Sequence, residues 1–316
     1  MNILIVTPAP KGSTKGNRIT AHRWAQIIKQ LGHRIRIAES FDGGDFDLLI
    51  ALHAGKSADS IKRFRTRFAT RPIAVAITGT DLHIELHQSK VVANSLKLAD
   101  RIIMLEPEGA KLLGRSLQKK VDVIYQSATP VSKKPKKLTR FFEVSVVGHI
   151  RKVKDPFRTA IAARSLPKES SIRVVHLGQA LDEKMKRRAV KETESNRRYR
   201  WIGSVPHGKA QTRLARSHLT VLTSKCEGAP STISEAIVND VPILATRIVA
   251  SIGLLGPKHP GLFEFGDTDE LAAMLLRAEQ DKGFYRSLLA AGKKVKPKFK
   301  PATEVKSWRS LLKRFT

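Results

Sequence analysis

Short apolar runs alternate with amphipathic stretches from the first residues of this 316-residue chain. Residues 3–6 are apolar, a loop rich in Gly, Ser and Lys follows, residues 18–31 carry helical periodicity and stop at Gly32, and residues 34–38 are apolar again. Strand, loop, helix, strand is the signature of a parallel α/β unit. The same pattern predicts strands at residues 47–52, 73–77, 101–105 and 122–125, with helices at 57–68 and 107–115 between them.

The register then breaks. Residues 129–140 carry Pro130, Pro135 and several lysines with almost nothing apolar, which reads as a linker. Beyond it the alternation restarts, with strands predicted at 142–147, 174–177, 200–202, 219–223 and 241–245 and helices at 156–165 and 232–238. The expected organisation is a Rossmann-like domain over 1–130, a linker over 131–140, a second Rossmann-like domain over 141–300 and a C-terminal helix over 301–316. Facing open α/β domains bind ligands outside the carboxyl ends of their strands. In the last segment Val305, Trp308, Leu311, Leu312 and Phe315 fall at helical spacing, so this stripe must pack on something.

Composition narrows the picture. The chain holds 58 Lys+Arg against 28 Asp+Glu, a formal charge of +30, which favours anionic partners. Zinc-finger spacing, ribonucleoprotein aromatics and a heptad-plus-basic pattern are missing from the sequence, and 6% aromatic residues leave little for base stacking, so nucleic acid is not the expected partner. The lysine-rich runs 133–137 and 293–300 contain prolines and read as solvated linkers. One cysteine, Cys226, excludes an internal disulfide framework and fits a reducing compartment. No apolar run approaches the roughly 20 residues of a membrane span, so a cytoplasmic location is expected.

Candidate chemistry concentrates after the strand that ends at Ser224. A glycine loop turns there and a helix begins near Ser231 or Thr232, offering its first N–H groups as an anion site. Glu227 and Glu235 bracket that turn. Together with the Glu-Gly and Glu-Ala pairs and the following Pro-Ile-Leu strand, they resemble the E-x7-E motif of the GT-B glycosyltransferases of retaining family 4. The resemblance implies a UDP-sugar donor held by Glu227, the loop residues Gly228 and Ala229 and the helix start at Ser231, with Glu235 on the ribose. Val146 to Pro156 resembles the segment that clamps a nucleotide diphosphate. His149 stands where the family carries its first arginine, which leaves Arg151 and Lys154 for the pyrophosphate. Residues 200–206 resemble the loop that reads the base, with Trp201 and Ile202 as apolar walls, although a tryptophan in a core has the same composition. The fold this implies is GT-B, with the C-terminal helix packing back toward the first domain.

A narrower resemblance runs over nearly the whole chain. The stretches 14–21, 51–54, 78–82, 148–151 and 253–263 are similar to the selenosugar synthases of selenoneine biosynthesis. That family joins selenophosphate to the anomeric carbon of a UDP-sugar, typically UDP-N-acetylglucosamine, releasing UDP and phosphate. A selenium anion is already ionised at neutral pH, so little is demanded of a general base. Thr78 stands where family 4 often carries a histidine, in keeping with such an acceptor. His53 and Asp81 are the nearest groups for anomeric or acceptor contacts. The loop before the first helix offers Lys15, Gly16 and Arg18 for the acceptor phosphate, with Thr78 beside it and Asn17 near the donor. Arg151, Lys154 and the helix end near Ser231 would offset charge on the leaving UDP, with no obligatory metal and no further cofactor expected.

Two other readings stay open. A generic family 4 transferase acting on a lipid or glycan would use a basic amphipathic helix at the membrane, and residues 57–71 could form one. A polyanion binder on a transferase scaffold would leave the two glutamates without a role.

Overall fold

A computed structural model describes residues 1–13, 16–79, 81–86 and 88–315. The chain divides into two compact units. The first comprises Met1–Gln126, Glu227–Ala229 and Pro301–Thr316; the second comprises Ser127–Cys226 and Pro230–Lys300.

The first unit runs β1 (Asn2–Val6), α1 (Gly16–Gln30), β2 (Arg34–Ala38), β3 (Leu48–Leu52), α2 (Ala58–Arg67), β4 (Ile73–Ala76), α3 (Lys90–Leu98), β5 (Arg101–Met104), α4 (Arg115–Gln118) and β6 (Val121–Val123). The strands form one parallel sheet in the order β2-β1-β3-β4-β5-β6. The order reverses between β1 and β3, and at such a switch point the loops leaving the two strands diverge and open a crevice. All five residues of β3 are buried, as a parallel strand covered on both faces requires. Helix α1 stops where the sequence places Gly32, whose φ of +88° only glycine adopts freely and whose N–H bonds the Lys29 carbonyl.

The second unit runs β7 (Phe142–Val147), α5 (Arg158–Arg164), β8 (Ile172–Leu177), α6 (Glu183–Ser195), β9 (Tyr199–Trp201), α7 (His207–Arg216), β10 (Leu219–Leu222), α8 (Ser231–Val238) and β11 (Ile243–Thr246). It continues through α9 (Val249–Leu255), β12 (Leu262–Phe263), α10 (Thr268–Gln280) and α11 (Lys282–Val295). Its parallel sheet has the order β12-β11-β10-β7-β8-β9, with the switch point between β7 and β10. The last helix, α12 (Pro301–Leu312), belongs to the first unit. Its predicted stripe packs on α1: Trp308 meets Trp24 edge to face at 4.9 Å, and neither ring is exposed.

Several expectations need correction. Residues 107–115 are not one helix: a 3-10 turn spans Glu108–Leu112 and α4 starts afresh after Gly114. The Glu106 carboxylate accepts the N–H groups of Glu108 and Gly109, and Gly109 is wedged against Met104 and Leu82, which fixes the tighter turn. The run 293–300 is not a linker either, since it forms the end of α11 and a 3-10 turn, Lys296–Phe299. Nor is 133–137 fully solvated. Lys137 donates to the Tyr285 hydroxyl at 2.8 Å, and burial, with Lys134 nearby, pulls its ammonium down to about 8. The basic helix α2 turns Ile61 and Phe64 into the core, with Phe68 packed beside them, so its apolar face is not a membrane-facing one. No helix among the described residues is long and apolar enough to cross a membrane.

Candidate functional site

At the switch point of the second unit a cleft opens at the carboxyl ends of β7, β8 and β10, lined by Gly148, His149, Lys154, His176, Thr223 and Ser224. Its floor is set by a close approach of backbone: a Cβ on Gly178 would stand 1.9 Å from the Gly148 carbonyl oxygen, so position 178 accepts no side chain. That carbonyl also accepts from His176 Nε2 at 3.1 Å, and His176 Nδ1 lies 2.9 Å from the Tyr199 hydroxyl. A carbonyl only accepts, so Nε2 carries the proton and Tyr199 donates to Nδ1. Complete burial holds the His176 pKa down to about 4, so the ring is neutral and acts as a brace.

Over this floor the Lys154 side chain lies close to Gly148, its Nζ 3.7 Å from where a Cβ would be. Thr223 locks the turn that presents it, its one hydroxyl proton shared between the carbonyls of Lys154 and Asp155, each 2.9 Å away. Burial, Lys154 and Arg151 lower the pKa of His149, and its Nδ1 accepts from the Gln179 N–H. Its remaining Nε2–H is therefore a neutral donor where an arginine would have been a cation. Arg151 is exposed at the start of the same turn. Trp201 is half-buried, with its indole N–H donating to the Gly178 carbonyl at 2.7 Å, and the Ile202 N–H is spent on the His176 carbonyl. Both support the cleft floor from the β9 end.

Helix α8 starts at Ser231, which is exposed, while every later residue of the helix is buried. Thr232 donates to the Val147 carbonyl and ties the helix start to the end of β7. Glu235 is 5% exposed; its Oε1 lies 3.0 Å from Nε2 of His207, the first residue of α7. Glu227, Gly228 and Ala229 belong to the first unit, where Ala229 packs with the cluster holding Ile3 and Trp24.

In the first unit His53 follows β3 directly. It is 3% exposed and has a φ of +72°, a left-handed conformation costly for a side-chain-bearing residue. Its Nδ1 accepts from the Lys56 N–H, which leaves the proton on Nε2, 3.7 Å from Glu85 Oε1. Asp81 is wholly buried and its carboxylate accepts the N–H groups of Thr78, Gly79 and Ala54. It therefore binds two loops together. Asp81–Glu85 forms a single π-helical turn, a rare geometry that places Asp81 and Glu85 on either side of His53. Gly16 and Asn17 open α1. Arg18 is 6% exposed, and its one hydrogen-bond partner among the described residues is His22 Nε2 at 3.2 Å. Lys15 lies outside the described residues.

The family model for glycosyl transferases group 1 matches residues 129–295. The chain belongs to this family. The match covers the whole cleft of the second unit and both Glu227 and Glu235.

Solved structures extend the likeness to the fold of this group 1 glycosyltransferase. HepE of Anabaena, solved with UDP and glucose, is 15% identical and has a TM-score of 0.76, over 99% of this chain and all of its own. Sucrose-phosphate synthase of Thermosynechococcus elongatus is 14% identical with a TM-score of 0.75, and a glycosyltransferase of Rickettsia africae is 13% identical with a TM-score of 0.77; each covers 99% of this chain and 98% of its own. The fold is GT-B. No curated protein matches the sequence. Among the described residues no group of three or more His, Cys, Asp and Glu side chains could hold a metal ion.

Some residues of this glycosyltransferase carry no signal in the sequence. His207, His176 and Glu85 acquire partners 28, 23 and 32 positions away, and nothing local marks them. Glu106 could have been found: it directly follows a strand and precedes a broken helix, the position of a capping acceptor. Burial pushes its carboxyl up to about 7.

Proposed function

We propose that this group 1 glycosyltransferase takes a UDP-sugar, with UDP-N-acetylglucosamine as the expected donor, and transfers the sugar to selenophosphate. The observation that carries the donor half is Glu235: a buried carboxylate on the helix that starts at the cleft mouth, with one oxygen held by His207. HepE, a protein of the same fold, has been solved with UDP and glucose, which supports the same donor class here. Arg151 and Lys154 take the diphosphate, the loop from Glu227 to Ala229 takes the sugar, and the ribose hydroxyls go to Glu235.

The acceptor half rests on the resemblance to selenosugar synthases and on two features of the first unit. Arg18 is a buried cation whose side chain bonds, among the described residues, only His22, which suits a phosphoryl group. The apolar face of α2 is consumed by the core, which removes the feature that favoured a lipid acceptor. In the reaction a selenium lone pair attacks the anomeric carbon. The bond from that carbon to the UDP oxygen breaks, and UDP leaves with the electron pair, its charge met by Arg151 and Lys154. Water then cleaves the phosphorus–selenium bond, giving phosphate and the selenosugar. The same resemblance gives His53, held between Asp81 and Glu85, to the acceptor side.

The test is the mass spectrum of the product formed from UDP-N-acetylglucosamine and selenophosphate. A hexosamine bearing one selenium atom is expected; a product lacking selenium overturns the acceptor assignment.

A further inference from the structure

The second unit holds two buried glutamates in contrasting surroundings. Glu143, 2% exposed, is saturated: Arg213 donates to it at 2.7 Å, Arg216 at 3.1 Å, and the Ser217 hydroxyl joins them. That is how a structural buried carboxylate is satisfied. Glu235, 5% exposed, has neither arginine nor lysine beside it. Its Oε1 faces His207, and its Oε2 has no hydrogen-bond donor among the described residues. With one oxygen held and the other unfilled, the carboxylate can take a donor from outside the chain.

His207 is placed to control how that carboxylate points. A carboxylate only accepts, so His207 Nε2 carries the proton shared with Oε1. The imidazole is presented by a stiff frame: Gly203 has a φ of +74°, its carbonyl accepts the Gly178 N–H, and Pro206 caps the first turn of α7. Bonding at Oε1 fixes the rotation of the carboxylate about its last torsion. Oε2 is then left to take a hydroxyl donor from outside the chain.

We infer that His207 is a positioning residue for nucleoside-diphosphate binding. It aims Glu235 at the ribose and thereby makes affinity depend on the 2′-hydroxyl. The inference rests on the donor reading of Glu235 given above.

Calorimetric binding of UDP and of 2′-deoxy-UDP to the full chain tests it without any acceptor. The expected result is a 2′-deoxy penalty of about tenfold or more in the wild type. His207→Ala weakens UDP by about tenfold and shrinks that penalty, whereas His207→Gln, which keeps an N–H donor at the same reach, restores both. His207 is 71% exposed, so neither variant empties a core. Loss of UDP affinity in Glu235→Ala with no change in His207→Ala overturns the positioning role and leaves the donor reading intact. An unchanged affinity and penalty in Glu235→Ala overturns both.

Discussion

Gly228 lies against the backbone of Thr78: a Cβ on Gly228 would stand 2.1 Å from the Thr78 carbonyl oxygen and 3.0 Å from the Gly79 nitrogen. Neither neighbour is a side chain that could swing aside, and Asp81 pins both by accepting their N–H groups. Gly228→Ala must therefore displace the loop that carries Glu227. Because misplacement of about 1 Å at a reacting centre costs on the order of a hundredfold in rate, kcat/KM is expected to fall by about that factor. Thermal unfolding beside steady-state kinetics checks this, since the loop shift leaves the two cores intact and the melting temperature nearly unchanged.

The His176 brace makes stability depend on acid. Its pKa is held near 4 in the folded protein against 6.5 for an ordinary imidazole, and burial also brings His259 to about 4. A group whose folded pKa is depressed lends stability above the unfolded value and loses it as pH falls through the folded one. Each ring then accounts for up to about 3 kcal/mol between pH 6.5 and 4. Urea titrations at pH 7 and pH 4.5 should show the loss. Tyr199→Phe, which strands the buried Nδ1, should cost about 1 to 3 kcal/mol at pH 7.

Glu106 acts in the opposite direction. Its pKa is raised to about 7 from 4.5, chiefly by burial. A raised carboxyl lends stability that is complete below the unfolded pKa and is lost as pH rises through the folded one. Glu106→Gln removes the charge and keeps an acceptor for one of the two N–H groups, which Glu106 receives on separate oxygens. Its stability relative to wild type is expected to improve steadily from pH 5 to pH 8, as read by denaturant midpoints.

Much of the sheet architecture was legible because a parallel strand buried on both faces must be apolar throughout, as β3 and β4 are. Strand β12 escaped because two residues, Leu262 and Phe263, make no pattern. Lys137 looked like solvent-facing charge because its partner, Tyr285, is 148 positions away. At the candidate site, sequence singled out Glu235 by its spacing but not His207, which only the packing of α7 on α8 brings to it. Spacing likewise gave no sign that the Trp201 indole N–H is committed to the Gly178 carbonyl. Spacing along a helix or strand survives in a sequence, whereas contacts between distant elements do not.

The final helix was legible as a stripe in search of a surface, and its packing gives a direct prediction. Trp308 and Trp24 are both fully buried against each other. Trp308→Ala should cost about 3 to 5 kcal/mol, measured by denaturant unfolding of the full chain.

Selenophosphate dependence of UDP release decides the acceptor. UDP is followed from UDP-N-acetylglucosamine with and without selenophosphate, with Glu227→Ala as the control. Release is expected only when selenophosphate is present, in equal amount to the selenosugar formed, and is lost in Glu227→Ala. UDP release at the same rate without selenophosphate, or none with it, would exclude selenophosphate as the acceptor.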